Sequence, residues 1–144
     1  MKKFIFFGLI IFVTIGSYAQ GNKSPLEGTW RCVSMGTQKL TDGSFPAMIR
    51  NGTIKTFSKE YFTFVGHFDM DTVSPDAYGA GTYTLNGNKY EEHIMFHNIK
   101  SLIDLRFKAI DEIRNDTLFH KYTDKADSWD LGKSYVTEKY VRLK

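Results

Sequence analysis

Gly81-Thr82-Tyr83-Thr84-Leu85-Asn86-Gly87-Asn88-Lys89-Tyr90-Glu91-Glu92-His93-Ile94 reads as two β-strands joined by a tight turn. Its Asn-Gly pair supplies the positive-φ residues of a type I′ hairpin turn, and both flanks are rich in strand-favouring residues. The same texture extends outward from this hairpin. Eight runs emerge: Leu26–Met35, Thr53–Phe57, Tyr61–Phe68, Gly79–Leu85, Lys89–Phe96, Ile103–Ile110, Thr117–Tyr122 and Tyr135–Leu143. Ser58-Lys59-Glu60 and Arg114-Asn115-Asp116 read as further tight turns, while 36–51, 69–78 and 123–134 are longer connections suited to function. No segment sustains an apolar period of 3.6, so long helices are not expected, although 97–102 or 42–51 can hold a short helical turn. Short links between successive strands favour an antiparallel up-and-down meander. Closing it into an eight-stranded barrel removes the exposed edges that an open sandwich, the competing architecture, would keep.

The N-terminus carries a different signal. Lys2-Lys3 and the apolar run 4–15 resemble the first two regions of a signal peptide, and Ser17-Tyr18-Ala19 places small residues where a signal peptidase cuts. The run is too short to span a bilayer. Residues 1–19 are therefore expected to be removed and 20–144 to form one domain of an exported protein, periplasmic or extracellular, with no membrane span after cleavage. Without Lys2 and Lys3 the formal charge falls from +3 to +1, which gives no electrostatic pull toward nucleic acid. The single cysteine, Cys32, forms no intramolecular disulfide and reads as a small buried hydrophobe rather than a catalytic thiol.

Residues two apart on a strand share a face, and a barrel interior takes one parity. With Trp30 and Arg142 facing in, Cys32, Ser34, Val136, Glu138 and Tyr140 follow. Phe62, Phe64 and Phe68 form an apolar wall with Gly66. Gly79, Gly81, Tyr83 and Leu85 share a face, as do Tyr90, Glu92, Ile94 and Phe96. Glu92 and Glu138 then become interior carboxylates that need compensation, by Arg142 or another cation, or that orient the polar end of a ligand.

Metal and catalytic motifs are weak. His93 and His97, four apart on a strand, are separated by roughly 13 Å, whereas zinc ligands lie about 2 Å from the ion. Asp69-Met70-Asp71 begins like a calcium loop but lacks the later glycine and glutamate. No nucleophile elbow, glycine-rich loop or metalloprotease motif occurs, so neither a cofactor, a metal nor a catalytic residue is assigned.

Leu26-Glu27-Gly28-Thr29-Trp30 resembles the Gly-x-Trp opening of the lipocalins, and Tyr140-Val141-Arg142 resembles the arginine of their closing strand. The hairpin at 81–94 and Glu138–Arg142 resemble, more narrowly, small exported bacterial lipocalin-like (calycin-type) proteins of unknown function. The resemblance implies that Gly28, Trp30 and Arg142 close one end of the barrel, with the guanidinium across the indole. The stapling cysteines and long C-terminal helix of many lipocalins are absent here, and the order Tyr140-x-Arg142 reverses the carboxylate-binding pattern of fatty-acid-binding proteins.

Two functions follow as expectations. In the first, the barrel holds a small, largely apolar or amphipathic ligand, with Phe62, Phe64, Tyr83, Tyr90, Glu92, Ile94, Phe107, Glu138 and Tyr140 as interior candidates. In the second, a barrel filled by its own side chains serves as a protein-interaction module, an inhibitor or envelope-assembly partner, whose protein partner the sequence does not name. Interior volume separates them, because ligand pockets start near ~300 Å³.

Overall fold

The structure, a computed structural model, describes residues 23–39, 52–67, 76–123 and 127–144, apart from the side chains of 37–39 and 67. The proposed leader 1–19, Phe68 and Asp69-Met70-Asp71 fall outside the described residues. Eight strands follow one another: β1 Gly28–Lys39, β2 Ile54–Phe57, β3 Tyr61–His67, β4 Asp76–Asn86, β5 Lys89–His97, β6 Arg106–Arg114, β7 Thr117–Tyr122 and β8 Ser134–Arg142. Each pairs antiparallel with the next, and β8 returns to β1, so the sheet closes in sequence order. The expected up-and-down barrel is thus the observed one. The helical element among the described residues is a single 3₁₀ turn at Lys100–Leu102, within the stretch 97–102.

The turns follow local chemistry with one exchange of type. At the β4–β5 link only Gly87 has positive φ (62°), the pattern of a type II′ turn centred on Gly87-Asn88 rather than the expected type I′. The type I′ pattern falls instead at the β6–β7 link, where Asn115 (φ 45°) and Asp116 (φ 58°) both turn left-handed. Strand β6 begins at Arg106 and runs to Arg114, later than the expected 103–110. The reason lies in the β5–β6 link: the amides of Asp104 and Leu105 bond back toward Ile94 and Leu102, and Asp104 takes a positive φ of 68°.

Two β-bulges break the simple alternation. In the β1–β8 ladder Cys32 faces Tyr140 but Ser34 faces Lys139, so Val33 is an extra residue. From there Met35, opposite Glu138, takes the inward phase, and Ser34, although buried, pairs with outward-phase Lys139 instead of continuing the interior row. In the β4–β5 ladder Gly81 faces Ile94 and Ala80 faces Phe96, leaving Met95 extra. Phe96 is consequently 65% exposed rather than interior, and the ring of His97 comes within 5.4 Å of Phe64. The second bulge requires glycine, since a Cβ on Gly81 would lie 2.0 Å from the His93 carbonyl oxygen.

One end of the barrel is filled. Leu26, Trp30, Phe57, Phe62, Tyr83, Tyr90 and Leu118 are buried there, with Phe57 meeting Tyr83 edge-on at 5.1 Å. The Trp30 indole N–H donates to the Leu26 carbonyl (2.7 Å), and the Arg142 guanidinium lies 4.0 Å from the indole centroid. Arg142 also donates to the carbonyls of Glu27 (2.5 Å) and Pro25 (2.8 Å) and sits 3.4 Å from the Asp116 carboxylate. Gly28 has a φ of 123°, and a Cβ on it would lie 2.8 Å from an Arg142 nitrogen. Replacing Trp30 with alanine should therefore cost ~3–5 kcal/mol of unfolding free energy in urea titration; a loss below about 1 kcal/mol would contradict a plug role.

Candidate functional site

Beyond the filled end the barrel contains a cavity of about 570 Å³. Its apolar wall comes from Met35 of β1, Phe64 of β3, Ile94 of β5, Phe107 of β6, and Leu102 and Leu105 from the β5–β6 link. Its polar wall comes from Lys55, Glu92, His120, Tyr122, Glu138 and Tyr140, with Arg106 and Asp127 also contributing. Six of the nine interior candidates therefore line the cavity: Phe64, Glu92, Ile94, Phe107, Glu138 and Tyr140. Phe62, Tyr83 and Tyr90 instead belong to the packed core of the filled end.

Three polar pairings occupy the interior. The Lys55 ammonium lies 2.5 Å from a Glu92 oxygen, which also accepts from the Tyr90 hydroxyl. That ammonium faces the rings of Phe62 (4.6 Å) and Tyr90 (5.3 Å), so its charge is met by both a carboxylate and π-faces. Asp111 and His120, paired across β6 and β7, meet at 2.5 Å. Glu138 accepts from Tyr122 on one oxygen (2.8 Å) and from Tyr140 on the other (2.5 Å). Arg142, considered above as a partner for the interior carboxylates, is committed to the closed end.

Burial, together with the charge of Glu92 or Glu138, pushes the Tyr90, Tyr122 and Tyr140 hydroxyls well above the usual phenol range, so they remain donors. Burial likewise pushes the Cys32 thiol up to about 12, with Glu138 adding to the effect. Such a thiol is not a nucleophile near neutral pH. At His120 burial disfavours the charged ring, but the charge and hydrogen bond of Asp111 outweigh it and raise its pKa. Among the described residues, no three His, Cys, Asp or Glu side chains gather closely enough to hold a metal ion.

Several of these residues escaped the sequence reading. Lys55 shares its parity with buried Phe57 on the four-residue β2, so alternation alone places it inside. Asp111 lay one residue past the expected end of its strand, and His120 lies between Leu118 and Tyr122 on the inward parity of β7. Met35 was hidden by the bulge at Val33, which no local sequence pattern announces.

Because the folded pKa of His120 lies above its unfolded value near ~6.5, its pair with Asp111 contributes fully below that pH and is lost as pH rises through the folded value. Urea midpoints should fall between pH 6 and pH 8, and Asp111→Asn should flatten that fall. An equal fall in both proteins would remove the pair as its source.

No protein-family model matches the chain, and no curated protein matches it. Among solved structures it is similar to a lipocalin-like protein from Bacteroides uniformis, with 14% identity, a TM-score of 0.50, and coverage of 82% of this chain and 98% of that one. An uncharacterized protein from Bacteroides eggerthii aligns at 11% identity and a TM-score of 0.49, covering 82% and 99% of the two chains. The chain has the fold of the lipocalin-like proteins, a closed eight-stranded up-and-down barrel.

Proposed function

We propose that the protein is an exported carrier that holds a small, largely apolar molecule with one polar end inside its barrel. The observation that carries this reading is the cavity of about 570 Å³, well above the volume at which ligand pockets begin. Its wall has the composition such pockets use, aromatic and aliphatic side chains with a few converging polar groups. A barrel filled by its own side chains was the premise of the interaction-module alternative, and this cavity weighs against that premise. Export rests on the charged and apolar segments of 1–19 and the small residues before Gln20.

Two measurements test the proposal. N-phenyl-1-naphthylamine, a neutral fluorescent apolar probe, should bind with a blue-shifted rise in emission, and Ile94→Trp, which fills the cavity, should weaken binding at least tenfold. Overpacking of this kind typically costs ~1–3 kcal/mol, so the variant is checked for folding by circular dichroism. No uptake by the unaltered protein, and no bound molecule in native mass spectrometry of protein taken from its source, would end the carrier reading. For export, the intact mass of that protein should correspond to a chain starting at Gln20; a chain retaining Met1 would refute cleavage.

A further inference from the structure

Among the described residues the charges inside the barrel do not cancel. Lys55 answers Glu92, and His120 answers Asp111, each across 2.5 Å. Among the described residues no lysine, arginine or histidine nitrogen lies within salt-bridge distance of Glu138, which stands across the β7–β8 ladder from His120, itself turned to Asp111, and which accepts from the two phenols. Arg106 pairs instead with Glu91 at 3.4 Å and is largely exposed. A carboxylate offers about four acceptor positions, and each Glu138 oxygen has one phenol upon it, so both retain capacity toward the cavity that Glu138 lines. Tyr122 and Tyr140 donate to it but bring no opposite charge.

A ligand carboxylate entering this cavity would meet Glu92 and Glu138, and the ammonium of Lys55 is already committed to Glu92. A ligand cation would meet the opposite: an anion preorganised by two hydroxyls, beside the rings of Phe107 and Tyr122, which pack edge-on at 4.7 Å. We infer that the polar end of the ligand is a protonated amine seated on Glu138, its apolar body lying against Phe64, Ile94 and Phe107. This inference rests on the carrier reading above and specifies its ligand class: an amphipathic amine rather than a fatty acid.

The test uses three probes of one chain length, decylamine, decanoate and decanol, titrated calorimetrically into the purified protein at pH 7 below their aggregation concentrations. Decylamine should bind at least tenfold more tightly than the other two. In Glu138→Gln, which keeps acceptor and shape but removes the charge, the amine should lose at least tenfold while decanol stays within about threefold. The comparison on the unaltered protein holds whether or not the variant folds. Decanoate or decanol binding as tightly as the amine overturns the amine assignment and leaves the carrier reading intact. A loss of all three probes alike in a folded Glu138→Gln makes Glu138 a structural residue and overturns the assignment too. If none of the three binds while N-phenyl-1-naphthylamine does, only the amine assignment falls; if that probe also fails and native mass spectrometry finds no bound molecule, the carrier reading falls with it.

Discussion

The contact on which this barrel depends is the stacking of Arg142 on Trp30. A meander of eight strands has two edges, and they must meet for the sheet to close. Here the first strand supplies a large flat ring and the last supplies a planar cation that covers it, while the same guanidinium takes up two carbonyls of the segment preceding β1. One side chain thus joins the seam, the N-terminal approach and, through Asp116, the β6–β7 turn. The large side chains at this end are buried against one another. That lets the other part of the interior remain hollow.

Between the packed end and the cavity the barrel carries charges that no apolar core would accept singly. Each is answered by a neighbour on another strand: Lys55 of β2 by Glu92 of β5, Asp111 of β6 by His120 of β7. Pairs of this kind add little net stability, since desolvation offsets attraction, yet removing one partner leaves a buried charge exposed to a low-dielectric surround. Glu138 departs from that scheme, for among the described residues it is held by two hydroxyls and by no cation. The second oxygen of Asp111 is buried and has no hydrogen-bond partner among the described residues.

Most of the architecture was legible because each strand carried its own period and most turns their own residues. Trp30, Cys32, Tyr83, Tyr90 and Ile94 are buried as alternation required. What alternation could not see were its own interruptions. A bulge is a property of two strands together, so Val33 and Met95 look ordinary in sequence while turning Phe96 outward and Met35 inward. Lys55 illustrates a second limit: its parity was readable, but an interior lysine makes sense only once Glu92 is known to stand across the barrel. The cavity illustrates a third, for volume depends on how far side chains from opposite walls fail to meet.

Those two bulges also divide the barrel into sectors that are read in different frames. Toward the closed end the inward residues of β1 are Trp30 and Cys32; past Val33 the frame slips by one and Met35 becomes inward. On β5 the slip at Met95 separates Ile94 from His97 in the same way. Loss of the extra residue at either slip would restore plain alternation and leave the same side chains facing the pocket, with Cys32 and Met35 inward on β1 and Ile94 and His97 on one face of β5, without touching the Trp30–Arg142 closure. A scaffold built like this can lose a residue at either place and keep both its contents and its frame, a tolerance of deletion that a strictly alternating barrel lacks.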